Sequence, residues 1–159
     1  MKAIANYYPI NPKLATSGQP TREQFQQIAN AGYNAVVNLA LPSSDNALAD
    51  EAAIVTALGM VYFQIPVIWE APTLDDVNLF FDLMQALQNR KTWVHCALNM
   101  RVSCFVYLFR KHILNCPETE AMYPMQEIWQ PNPVWQRLIQ DVETQLRSAD
   151  RLATNALNP

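Results

Sequence analysis

Apolar and polar positions alternate along this chain with two different periods, and each change of period marks an element boundary. Between Thr21 and Ala31 the apolar side chains fall at Phe25, Ile28 and Ala29, one face of a helix. Thr21 suits its N-cap and Gly32 its stop. Ala35 to Leu39 then reads as a short buried strand. The alternation recurs: Leu48 to Leu58 is helical and closes at Gly59, and Met60 to Ile65 carries strand-forming residues up to Pro66. Thr73 caps a run with apolar residues at Val77, Phe80, Phe81, Met84 and Leu87, a helix reaching about Gln88. Thr92 to Cys96 is a third strand, and Val102 to Ile113, apolar almost all round, reads as a buried helix. Pro131 and Pro133 lead into an amphipathic helix over Val134 to Arg147, and residues 149–159 read as a loosely ordered tail. Strands alternating with helices of these lengths predict an α/β fold with a mainly parallel central sheet.

The composition adds limits to that pattern. With 159 residues, half of them hydrophobic and 16% charged, the chain matches one globular domain with its core over about 14–147. A net charge of −3 without any Lys/Arg run offers no footprint for nucleic acid or an anionic membrane. No apolar stretch of about 18 residues occurs, and the opening MKAIANYYPINPK lacks the apolar segment of a secretory signal. Three cysteines, Cys96, Cys104 and Cys116, are odd in number and form no C-x-x-C pair, which argues against a disulfide framework and a zinc site. With His95 and His112 the sole histidines, no metal is expected. Reduced cysteines suit a cytoplasmic protein; a periplasmic one would need a leader. The oligomeric state is not encoded in these features.

The chemistry concentrates in TWVHCALNMRVS, residues 92–103. In a parallel sheet, ligands gather beyond the carboxyl ends of the strands, and His95-Cys96 stands at such an end just before a helix. The amides of Ala97, Leu98, Asn99 and Met100 can turn inward while the helix start adds about half a positive charge, which makes an anion receptor. The loop contains no glycine, so Asn99 is the residue expected at left-handed backbone angles. For Cys96 to be a thiolate at pH 7, its pKa must fall from about 8.5 by roughly two units, about 2.7 kcal/mol. A helix start supplies only about 0.3 to 1 kcal/mol. Arg101, amide hydrogen bonds to sulfur and the Ser103 hydroxyl are the expected sources of the remainder. Arg101 can also grip two phosphate oxygens with its planar fork.

VHC followed by a short loop, an arginine and a serine resembles the signature of cysteine-based protein tyrosine and dual-specificity phosphatases. More closely, ATSGQPT, IPVIWEAPT and VHCALNMRVS together resemble a bacterial family of phosphatase-like domains that also occurs fused to β-lactamase-like hydrolases. The likeness covers roughly residues 14 to 140. It implies a dual-specificity-phosphatase-like fold with about four or five strands. It also implies attack by Cys96 on a phosphate monoester, carried by a small molecule or a phosphoprotein, with no cofactor. Within that resemblance the loop departs from the signature. Four residues separate Cys96 from Arg101 where the phosphatases have five, Val102 occupies the place of their arginine, and Asn99 stands where they often have glycine. The interval from Cys96 to Ser103 is unchanged. Four intervening residues also resemble the active loop of rhodanese-type sulfurtransferases, and a phosphate- or phosphoprotein-binding module without turnover is the third reading.

The phosphatase resemblance further implies an acid some 30 residues before the cysteine. Glu70, Asp75 and Asp76 lie in that segment, and Glu70 is the choice because Asp75 and Asp76 fall in a first helical turn, where they complement the dipole. His95 is expected to orient the loop through a hydrogen bond. Cys104 reads as packing, Ser17 and Gln19 as shaping a turn or the mouth of the site, and Trp129 and Trp135 as packing beside the proline-rich bend.

Overall fold

The computed structural model describes the backbone of residues 3–157 and the side chains of residues 3–149. Five strands form one sheet. β1 (Tyr8–Asn11) and β2 (Leu14–Ser17) make an antiparallel hairpin; β3 (Ala35–Asn38), β4 (Val61–Gln64) and β5 (Thr92–His95) join β2 in parallel, in the order β1-β2-β5-β3-β4. The hairpin is absent from the sequence pattern for a physical reason. β2 is buried on both faces and therefore does not alternate, and Pro9 in β1 is tolerated there because β1 lies at the sheet edge.

Helices cover both faces. α1 (Arg22–Asn30) and α2 (Glu51–Ala57) pack on one side, where Trp93, Val36, Phe25 and Ile28 form a small core. α3 (Leu74–Ala86), α4 (Met100–His112) and α7 (Pro133–Leu157) cover the other, with α5 (Glu118–Ala121) and α6 (Met125–Ile128) in the connection between α4 and α7. The strand period decides the allocation: Trp93 faces the first core, while Val94 on the next position faces the second. Thr21 and Thr73 both cap through reciprocal boxes, with Gln24 and Asp76 respectively. Gly32 and Gly59 take φ of 84° and 79° where α1 and α2 end, angles that only glycine adopts without strain. The buried helix expected near Val102 is α4, whose residues Val102 to Phe109 are all buried.

One expectation is corrected. α7 continues to Leu157, ten residues past the end at Arg147 read from the sequence; residues 158–159 lie outside the described residues. Residues 148–157 contain neither proline nor glycine, and Ala149, Arg151, Leu152, Ala153, Ala156 and Leu157 are good helix formers, so helix propensity sustains the segment.

Candidate active site

β5 is the central strand of the sheet, flanked in parallel by β2 and β3, and His95-Cys96 stands at its carboxyl end. The loop from Cys96 into α4 takes the predicted shape. Asn99 is its left-handed residue, with φ of 64°, and it is fully buried. Its side chain anchors the turn, Nδ2 donating to the Asn6 carbonyl at 2.7 Å and to Thr16 Oγ1 at 3.0 Å. The carbonyls of the loop are tied outward: that of Ala97 accepts from the Gln19 amide at 3.1 Å and Asn46 Nδ2 at 3.0 Å, and that of Leu98 from Asn6 Nδ2 at 2.9 Å. Among the described residues, the amides of Ala97 and Leu98 have no main-chain partner. Those of the first turn of α4 have none by construction of a helix start. The result is a run of main-chain donors, without acceptors among the described residues, directly after Cys96.

Gly18 explains part of ATSGQPT. A Cβ there would lie 3.0 Å from the Ala97 carbonyl oxygen and 3.2 Å from that of Ala5, so only glycine lets the segment run this close to the loop. Ser17 accepts from Trp93 Nε1 at 2.9 Å and donates to the Gly18 carbonyl. Gln19 reaches past the turn to donate to the Glu51 carboxylate, a contact more specific than the turn-shaping role expected of it.

Glu51 is the residue that the sequence did not disclose. It lies in the first turn of α2, is 4% exposed, and its Oε1 sits 2.9 Å from His95 Nε2 behind the loop. Asn38 Nδ2 donates to the same carboxylate at 2.9 Å. Burial pushes the Glu51 pKa up, but the hydrogen bond and charge of His95, with donors from Gln19 and Tyr62, outweigh it and hold the carboxyl below its ordinary value. The loop-orienting hydrogen bond expected of His95 is thus directed at a carboxylate. No spacing signals it, since in a sequence an exposed glutamate in a first helical turn looks identical.

Cys96 is 1% exposed and lines a cavity of about 200 Å³ with Ala97, Leu98, Met100, Arg101 and Trp69. Arg101 stands at the wall, its Cζ 5.6 Å from the Trp69 ring centroid, and its Nε is buried with no partner among the described residues. Val102 is fully buried in the core instead. A rotation of about 100° per helical residue separates the two directions. Trp69, Trp129 and Trp135 pack together at centroid distances of 5.2, 5.0 and 5.8 Å, which extends the wall beneath Arg101. Ser103 is buried, accepts from Trp129 Nε1 at 3.1 Å and donates to the Met100 carbonyl at 3.0 Å, so its hydroxyl is engaged away from the sulfur.

The acidic candidates separate. Asp76 closes the capping box of α3, as the dipole argument expects, and Asp75 is exposed beside it. Glu70 is exposed on the turn after β4, next to Trp69 but outside the cavity lining. Cys104 is fully buried, and burial raises its thiol pKa, in keeping with a packing role.

The family described as DSP-PTPase phosphatase fused to NAD+ kinase matches residues 9–144 of the chain. A DUF442 protein from Shewanella putrefaciens CN-32, a candidate phosphatase solved by crystallography, is 35% identical and superposes with a TM-score of 0.81 over 91% of this chain and 95% of that one. TpbA of P. aeruginosa superposes with a TM-score of 0.70 over 91% and 90% of the two chains at 18% identity, a likeness of fold. A beta-lactamase hydrolase-like protein of Xylella fastidiosa is 32% identical over 96 residues, 58% of this chain and 22% of that protein, so the matched region spans about a fifth of that relative.

Proposed function

The chain belongs to the DSP-PTPase phosphatase family, and from this membership we propose that it hydrolyses a phosphate monoester, of a small molecule or a phosphoprotein, through a phosphocysteine at Cys96. The Cys96 sulfur attacks phosphorus as a thiolate while the bond to the leaving oxygen breaks. That oxygen takes a proton from an acid, for which Glu70 is the candidate once its turn swings over the cavity. Water then attacks the phosphocysteine, releasing phosphate and the thiolate. The amides of residues 97–101 and the Arg101 guanidinium hold the equatorial oxygens. Ser103 assists departure of the thiolate in this scheme. His95 and Glu51 act through the loop, by holding its base. No cofactor enters this scheme.

One observation carries the proposal: Cys96 lines a cavity with Ala97, Leu98, Met100 and Arg101, where among the described residues the amides of Ala97 and Leu98 have no main-chain partner and the buried Arg101 Nε has no acceptor. Such groups are costly to bury unless an anion completes them. The four-residue spacing from Cys96 to Arg101 supports a second reading, sulfur transfer through a cysteine persulfide. One assay panel tests both. Hydrolysis of p-nitrophenyl phosphate, blocked by vanadate and lost in Cys96→Ser, is the expected result. Thiocyanate formed from thiosulfate and cyanide, without phosphate release, would overturn it in favour of the second reading.

A further inference from the structure

A second concave site lies at the opposite end of the same sheet face. Its floor is formed by Leu14 and Thr92, the first residues of β2 and β5, and its walls by Met84 and Leu87 at the end of α3 and by Phe109 and Leu114 at the end of α4. The cavity measures about 200 Å³. Thr92 and Cys96 share a strand face four residues apart, so this site lies about 13 Å from the sulfur. Nothing in the phosphatase scheme uses it.

Three features define what would fill it. Thr92 is 2% exposed, its amide is taken by the Lys13 carbonyl at 2.8 Å, and its Oγ1 has no partner among the described residues. A buried hydroxyl without a partner favours an occupant with a polar group at depth. The walls above it are mostly aliphatic and aromatic, with the side chains of Asn11, Gln85 and Gln88 completing the lining. At the rim stand Lys13 and Arg90, both exposed, neither in an ion pair among the described residues, and no carboxylate lines the cavity. The sequence thus places two free cations over an apolar cleft in a chain of net charge −3. The volume falls below the roughly 300 to 1,000 Å³ of drug-sized sites, which limits the occupant to one ring with short arms.

We propose that this cleft binds a small aryl carboxylate bearing a hydroxyl opposite the acid. The ring lies between Met84, Leu87 and Phe109, the hydroxyl meets Thr92 Oγ1, and the carboxylate meets Lys13 and Arg90. The proposal is independent of the activity at Cys96.

The test is an amide-resolved NMR titration of the full chain with 4-hydroxyphenylacetate. Saturable shifts are expected at residues 13–14, 84–92 and 109–114, unaffected by vanadate. 4-Hydroxybenzyl alcohol, without the carboxylate, and the exposed double variant Lys13→Ala/Arg90→Ala are each expected to weaken binding about tenfold, equal to about 1.4 kcal/mol. Thr92→Val is expected to abolish the preference for 4-hydroxyphenylacetate over phenylacetate. Shifts centred on Cys96, no saturation up to the solubility limit, or equal affinity for acid and alcohol would each overturn the assignment. Should Thr92→Val fail to fold, the alcohol comparison on the unaltered protein still decides.

Discussion

Glu51 shows how a single carboxylate can sit 4% exposed without being a defect: Gln19, Asn38 and His95 supply it with donors, and the cluster lies directly behind the candidate nucleophile. A buried anion of this kind is expensive to disturb. Glu51→Gln keeps the shape but removes the charge and forces an amide against donors, and should destabilise the protein by about 1 to 3 kcal/mol in urea unfolding. The pH dependence has a definite sign. Burial raises the Glu51 pKa, yet His95 and the neighbouring donors bring the folded-state value below the ordinary 4.5. A carboxyl depressed on folding contributes its stability fully above the unfolded value and loses it as pH falls through the folded one. The stability gap between the wild type and Glu51→Gln should therefore narrow as pH falls below about 4.5. A gap that widens on acidification would show that desolvation, and not His95, governs this carboxyl.

At the scale of elements, the decisive relation is the register of α4 against its loop. Val102 occupies the position of the phosphatase arginine in the sequence, but the helix directs it into the core and leaves Arg101 on the cavity wall against Trp69. With the Cys96 to Ser103 interval unchanged, placing arginine one residue early moves the cation from the core-facing position to the cavity wall. Val102→Arg would bury an unpaired charge among apolar side chains and is expected to destabilise by about 3 to 5 kcal/mol, read from denaturant midpoints, without raising phosphatase activity. A stable and faster variant would mean that α4 can rotate. This register also shows where sequence reasoning ends. Five helices, α1 to α4 and α7, and three parallel strands were legible because capping residues, glycine stops and apolar periods are local signals, and the left-handed Asn99 followed from the absence of any glycine in the loop; the single-turn helices α5 and α6 were not. The β1–β2 hairpin was not legible, since two four-residue strands buried or proline-bearing carry no period. Glu51, Asn38 and Asn46 were not legible as site residues because hydrogen bonds joining separate loops leave no spacing along the chain.

The whole molecule closes the site through contacts that are distant in sequence. Asn6 donates to the Leu98 carbonyl and accepts from Asn99 through its own carbonyl, pairings separated by 92 and 93 residues, and Asn46 holds Ala97 from the loop between β3 and α2. The segment before β1 therefore acts as a clamp on the anion loop, and Asn6 takes a φ of 47° to present both groups. Alanine at this position loses the side-chain donor and tolerates that left-handed angle less well than asparagine, so the segment before β1 is expected to relax away from the loop. Because the loop carbonyls must stay outward for the amides to face an anion, the cost should fall on function more than on global stability. Asn6→Ala is expected to lower kcat/KM for p-nitrophenyl phosphate by about tenfold, equal to about 1.4 kcal/mol of transition-state stabilisation, while the unfolding midpoint moves only slightly. Hydrogen exchange supplies the independent readout: the amides of Gly18 and Gln19, which donate to the Ala5 and Ala97 carbonyls, should exchange faster in the variant, with those of β5 and α4 unchanged. If exchange accelerates uniformly across the sheet, Asn6 supports the fold as a whole, and the clamp is not local to the loop.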